Sequence, residues 1–335
     1  KTVMGMMETG VLHAPRLAVT TSCACDGNLS TFRQLGQRMD VPMVLLDVPY
    51  EGDDESVDYL AAQLRELTRT LEELTSVPFD EGRLSHLLEV ERETNDLAWE
   101  FMRLQAEHFY PSEFIHHLFF VLAMQLSAGS EELRDLLRFM VDDIKRAPKL
   151  TGDKILWVHL MPYYQQSLKA AFDYSPAHQI VAADMAFCTM SDLADADPFR
   201  ALAKKLIGNA MNGPYERKLA LIDRLLDATH ADGVIHFCHW GCKQSSGGSA
   251  ILREHLHEAG VPLLQLDGDG IDERNSHDGQ IKTRLEAFFE VLAAKRAEDD
   301  EQGAAAETKG GAQKSSADQT GGTQGATADP KGSAQ

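Results

Sequence analysis

The residues with the most capacity for chemistry in this chain are its five cysteines, Cys23, Cys25, Cys188, Cys238 and Cys242. Thiolates are nucleophiles and soft ligands, suited to iron–sulfur clusters, zinc or copper(I). Two of them share a setting. Cys25 stands in TTSCACDGNLSTF and Cys242 in HFCHWGCKQSSGG, each just past a strand-like run and ahead of a helical one. A helix N-terminus stabilises negative charge and lowers the pKa of a thiol placed there. Cys188 and Cys238 end the strand-like runs DMAFC and VIHFC, and read as buried packing thiols. Any single cysteine is more often inert packing than a ligand, and the matched pair weighs against that reading for Cys25 and Cys242. An odd cysteine count without a secretory signal argues against a disulfide framework.

Other constellations carry less. His236, Cys238, His239 and Cys242 form a loose zinc-like set, but no second Cys or His pair stands at finger spacing. Asp267, Asp269 and Asp272 look cation-like, yet Ile271 occupies the third ligand position of a calcium loop, so they read as a strand end and a turn cap. No phosphate-binding G-x-x-x-x-G-K-[ST], dinucleotide G-x-G-x-x-G or G-x-S-x-G elbow occurs. His116 and His117 lie in an apolar helical pattern and read as core or interface histidines. Trp157, Met161, Tyr163 and Tyr164 read as core and turn residues.

The elements that must position the two cysteines follow from hydrophobic periodicity. RLAVTTS (16–22) and PMVLLDVP (42–49) read as strands around a helix from about Leu29 to Arg38, a βαβ unit. Residues 53–150 carry helical spacing throughout and read as a helical insertion. Strands return at 154–160, 179–186, 233–238 and 262–269, alternating with helices near 164–172, 198–229, 246–259 and 278–296. The expected architecture is α/β: two Rossmann/flavodoxin-like parallel-sheet domains, 1–52 and 151–297, flanking the helical segment. A weak internal repeat links them, since each cysteine turn leads through a helix to Val-Pro and a strand closed by Asp47 or Asp267. Both cysteines would then sit at carboxyl ends of strands, where open α/β sheets bind ligands, and two facing domains would bring them to one crevice. Residues 301–335 contain no Val, Ile, Leu, Met, Phe, Tyr or Trp, so 298–335 reads as a disordered tail.

The 335 residues suggest two or three domains, and the formal net charge of −20 repels nucleic acid and anionic membrane. No apolar run is long enough to span a bilayer and no signal peptide opens the chain, so a cytoplasmic location is expected.

The segment from His236 to Leu292, with HWGCKQ, LDGDGIDERN and TRLEAFFE in combination, resembles the 2-hydroxyglutaryl-CoA dehydratase family, which also holds benzoyl-CoA reductase subunits. It looks most like the beta subunits of that family. TTSCACDGNLSTF resembles the family's earlier cysteine motif, and the likeness runs from residue 1 to about 296. The resemblance implies one [4Fe–4S] cluster held by three cysteines, with one iron open to substrate. Cys25 and Cys242 match two of the ligands. The third is expected just upstream of Lys1, ahead of KTVMG, so the first domain is expected to be N-terminally truncated; Cys23 is a weak substitute. The implied activity is loss of water from a 2-hydroxyacyl-CoA, through one-electron reduction of the thioester to a ketyl that expels hydroxide. Implied partners are a second dehydratase subunit, an ATP-dependent iron–sulfur activator and the acyl-CoA substrate, with a flavin in the complex. Reduction of an aromatic acyl-CoA, or a non-catalytic partner role, are the alternatives.

Overall fold

A computed structural model describes residues 2–190 and 193–317. It opens with α1 (Thr2–Glu8), then β1 (Ala18–Thr21), α2 (Asp26–Met39) and β2 (Met43–Leu46). β1 and β2 pair in parallel, Ala18 opposite Met43 through Thr21 opposite Leu46, with α2 as the crossover. This is the βαβ unit read from the sequence, reduced to two short strands.

The helical segment follows as α3 (Asp54–Thr75), α4 (Glu81–Glu107), α5 (Phe114–Leu126) and α6 (Glu131–Ile144). Asp53, Asp80 and Ser130 cap α3, α4 and α6, each accepting a backbone N–H from the first turn. α3 buries Val57, Leu60, Ala61 and Leu64, an i, i+3, i+4, i+7 stripe. That stripe packs with Leu46 and Val48, and with Phe199, Ala203 and Ile207 from farther along the chain, tying the first sheet to the second half of the molecule.

The second half runs β3 (Asp153–Val158), α7 (Gln166–Phe172), β4 (His178–Ala183), α8 (Asp184–Phe187), α9 (Pro198–Ile207), α10 (Glu216–Thr229), β5 (Gly233–His239), α11 (Lys243–Ser246), α12 (Ser249–Glu258), β6 (Leu263–Gly268) and α13 (Asp278–Ala317). All four strands are parallel, in the order β4-β3-β5-β6. Ile155, Leu156, Trp157 and Val158 are wholly buried, as expected of a central strand covered on both faces. The chain steps from β3 outward to β4, then crosses back to β5 on the other side. The switch in direction therefore falls between β3 and β5. In flavodoxin-like sheets of this order, that is where a crevice opens beyond the strand ends.

Three details depart from the sequence reading. The helix expected over 198–229 is two, α9 and α10. The break holds Gly213 at φ +81° followed by Pro214, neither of which continues a helix. Cys188 is not in a strand: β4 ends at Ala183, and Cys188 closes the short turn of α8. α13 continues past the boundary expected at 298 to Ala317, while 318–335 of the expected tail lie outside the described residues. Both sheets and all five cysteines belong to one unit ending at Phe288; another begins at Phe289. Among the described residues no helix is long and apolar enough to cross a membrane.

Candidate functional site

Cys25 lies beyond the end of β1. The chain turns there through Ala24, whose φ of +71° is left-handed, and Cys25 becomes the N-cap of α2. Its sulfur takes the role usually given to a Ser or Asp oxygen, accepting the Asn28 N–H at 3.3 Å. The side chain is exposed. The expected helix-start setting is therefore present for this residue.

Cys242 lies beyond the end of β5. Gly241, with φ +78° and open space around it, supplies the left-handed step that brings Cys242 to the head of α11. That helix is only four residues long, and the Cys242 sulfur accepts no cap hydrogen bond. Its close partner is instead His159 Nε2, 3.4 Å away. His159 directly follows β3, so the two meet at the switch point between β3 and β5.

The two cysteine turns face each other. Lys243 Nζ donates to Asp26 Oδ2 at 2.7 Å, joining the residue after Cys242 to the residue after Cys25. This hydrogen bond raises the Lys243 pKa. The other three thiols are placed differently. Cys23 packs against the apolar cluster between α3 and α9, and burial pushes its thiol up. Cys188 is buried, its thiol pushed up to about 12 mainly by burial, and donates to Met185 O. Cys238 is buried on β5 and accepts from Gln265 Nε2 at 3.4 Å.

The zinc-like set does not converge. His236 Nδ1 and Cys238 Sγ are 4.0 Å apart on one face of β5, but His239 Nδ1 accepts Gly270 N–H and Cys242 turns to His159. Among the described residues no three His, Cys, Asp or Glu groups stand where they would hold a single metal ion. Asp269 caps a turn, accepting from Ile271 N, Asp272 N and Asn275 Nδ2. For an iron–sulfur cluster the donor chemistry fits in part: two thiols at facing turns, one exposed and one half-buried, with Cys23 committed to an apolar core.

Behind Cys242 lies a group of buried polar side chains that the sequence reading missed. Asp184 follows β4, and Lys218 projects inward from α10; both side chains are 1% exposed, and their charges stand 3.2 Å apart, aligned too poorly for a hydrogen bond. Asp184 Oδ1 accepts the backbone N–H of His159 at 2.7 Å. His159 itself has a φ of +76°, rare for a residue with a side chain. Burial, with the Lys218 charge second, lowers its pKa to about 3, and burial lowers His236 to about 4. Tyr215 OH is enclosed nearby, its pKa raised by burial and by Asp184. One signal of this cluster was legible: Lys218 heads the stripe Lys218, Leu221, Ile222, Leu225 and Thr229, so a cation sits at an apolar position of α10.

Comparison with known proteins adds the following. The family described as 2-hydroxyglutaryl-CoA dehydratase, D-component, matches residues 1–292. The (R)-phenyllactyl-CoA dehydratase alpha subunit of Clostridium sporogenes is 24% identical, over 88% of this chain and 74% of its own. The (R)-2-hydroxyisocaproyl-CoA dehydratase alpha subunit of Clostridioides difficile is 21% identical, over 88% of this chain and 77% of its own. One of the benzoyl-CoA reductase subunits of Thauera aromatica is 22% identical, over 89% and 76% respectively. The dehydratase relatives named here are alpha subunits, where the sequence pattern suggested a beta subunit.

Proposed function

Because this chain belongs to the 2-hydroxyglutaryl-CoA dehydratase D-component family, we propose that it is one subunit of a 2-hydroxyacyl-CoA dehydratase. The reaction is loss of water from an (R)-2-hydroxyacyl-CoA to give the 2-enoyl-CoA. The observation that carries the site assignment is the Asp26–Lys243 contact, which joins the turn of Cys25, beyond β1, to the turn of Cys242, beyond β5.

On this reading Cys25 and Cys242 hold a [4Fe–4S] cluster, with a third donor from outside the pair. A cluster there supplies one-electron chemistry and a Lewis-acidic iron. The difficulty it answers lies in the substrate. The C3 proton is not acidic while the thioester is intact. One electron on the thioester carbonyl gives a ketyl, hydroxide leaves C2, and the C3 proton of the remaining radical becomes acidic enough to remove. The electron is then returned, so the net change is loss of water alone. The chain contributes the strand ends beyond which the two thiols lie, and the buried His159 ring 3.4 Å from the Cys242 sulfur. As the family resemblance implies, the electron comes from a separate ATP-dependent iron–sulfur activator, and a second subunit completes the enzyme. A flavin in that complex remains part of the proposal.

The test is anaerobic co-purification with the second subunit, then a screen of 2-hydroxyacyl-CoA thioesters with activator and ATP. The expected result is 2-enoyl-CoA from at least one of them. The 22% identity to a benzoyl-CoA reductase subunit favours one second reading, reduction of an aromatic acyl-CoA. ATP-dependent consumption of benzoyl-CoA, with no dehydration of any hydroxyacyl-CoA, would replace the first reading by the second.

A further inference from the structure

We propose that Arg217 and Asn212 are positioning residues for the Cys25–Cys242 site: they complete a continuous hydrogen-bonded path from one cysteine turn to the other and so set the spacing of the two turns. What that spacing serves rests on the reading of both thiols as ligands of one cluster; the path itself stands on the chain.

The path starts at Ser22, three residues before Cys25. Ser22 N–H donates to Leu46 O at 3.0 Å, and Ser22 Oγ accepts the Val48 N–H at 2.8 Å. The end of β1 is thus fixed to the chain leaving β2. The next two residues carry the path on. Pro49 O accepts from Asn212 Nδ2 at 2.8 Å, and Tyr50 O accepts from Arg217 Nη2 at 3.2 Å. Both donors also hold the loop between α9 and α10. Arg217 Nη1 donates to Ile207 O at 2.7 Å and to Asn212 O at 3.2 Å, and Asn212 Nδ2 donates to Ile207 O at 3.0 Å. In that loop Met211 O accepts from Gln244 Nε2 at 2.6 Å, and Gln244 is two residues past Cys242.

The residue types suit the task. A guanidinium carries five N–H donors in a rigid planar fork, so bonds from both ends of the fork set two segments in one register. A lysine ammonium is a point donor on a flexible stem and does not do this. The fork of Arg217 is directed at three carbonyl groups from two segments. Ile207 is the last residue of α9, so its carbonyl has no partner within the helix, and a cation is favoured at that end. A Cβ on Gly213 would stand 2.8 Å from Arg217 Nη1, so the glycine leaves room for the fork. The apolar cluster that includes Leu46, Val48 and Ile207 joins the same segments, but apolar burial is non-directional and sets no register. The Asp26–Lys243 pair is too exposed to hold one. The register is left to the Arg217 fork and the buried Asn212 amide.

Two readouts test the proposal. Carbodiimide coupling of Asp26 to Lys243 in the metal-free chain reads whether the turns meet; coupling of Glu100 to Lys145, an ion pair within the helical segment, is the internal reference. Arg217→Met removes the donors and should lower the ratio of the first cross-link to the second severalfold, well below the melting temperature of the variant. Arg217→Lys, which keeps the charge without the fork, should lower it as well. Asn212→Ala removes the bonds to Pro49 and Ile207 and should lower the ratio by itself, so the outcome does not hang on the folding of one variant. Loss of stability alone leaves the ratio unchanged in the folded chain. In the anaerobic complex with the second subunit, Arg217→Met should alter the electron paramagnetic resonance signal of the reduced cluster. A wild-type ratio in Arg217→Met and Asn212→Ala, or an unaltered signal from Arg217→Met, would overturn the proposal. A wild-type complex without a cluster would instead count against the proposed function, and the cross-link ratio would still decide this inference.

Discussion

Lys243 Nζ lies 2.7 Å from Asp26 Oδ2, and each residue is the first of a helix begun by a cysteine. The two are 217 positions apart in sequence. Both side chains are largely exposed, so the pair adds little to stability. Its meaning is geometric: it records that two turns from different sheets meet.

That meeting is directly testable. Zero-length carbodiimide coupling should join Asp26 and Lys243 by an amide in the folded chain, seen as a cross-linked peptide by mass spectrometry. Lys243→Ala should abolish that peptide and leave the melting temperature essentially unchanged. Absence of the cross-link in a chain that couples at its other exposed ion pairs would contradict the facing arrangement.

The thiols should separate by reactivity. Cys25 is exposed and should alkylate readily in the native metal-free chain. Cys188, pushed up to about 12, holds roughly one thiolate in ten thousand at pH 8, and it is also buried. Cys188 should label only on unfolding, as should buried Cys238. Alkylation rates resolved by peptide mass spectrometry check this, and labelling of Cys188 as fast as Cys25 would be inconsistent with the packing.

The buried charge pair sets a stability prediction. Lys218→Met strands Asp184 in the interior and should cost about 3–5 kcal/mol. Lys218→Met/Asp184→Asn removes both charges while keeping an acceptor for the His159 N–H, and should recover most of that loss. Chemical denaturation of the three chains provides the comparison. Equal loss in single and double variants would mean that the pair is not the determinant.

The parallel strands and the two cysteine turns were legible in the sequence because parallel strands, buried on both faces, write themselves as apolar runs such as KILWV; their order in the sheet was not. Cys25 and Cys242 were legible because each stands between such a run and a helical pattern. His159 was not: its partner is 83 residues away, and its φ of +76° leaves no mark in the local sequence. Asp184 and Lys218 lie on different elements, and only the fold brings them together. The break between α9 and α10 was written in Asn212-Gly213-Pro214, where turn chemistry outweighs the helical spacing on both sides.

Tyr215 reaches this interior past Gly248. A Cβ on Gly248 would stand 1.9 Å from the Tyr215 ring, so Gly248→Ala forces the ring to move. The expected cost is about 1–3 kcal/mol. In a Tyr215→Ala background the same substitution should cost much less. Urea midpoints of the four chains measure the coupling, and additive effects would show that the close approach is not real.

The central claim is that Cys25 and Cys242 ligate one iron–sulfur cluster in a dehydratase subunit. The most direct measurement is an anaerobic iron and sulfide assay on the complex with the second subunit, comparing wild type with Cys25→Ala, Cys242→Ala and Cys188→Ala in this chain. The account predicts that the first two variants each lose the iron and sulfide of this subunit, and that Cys188→Ala keeps both. Full iron and sulfide in Cys242→Ala, with loss in Cys188→Ala, would contradict it.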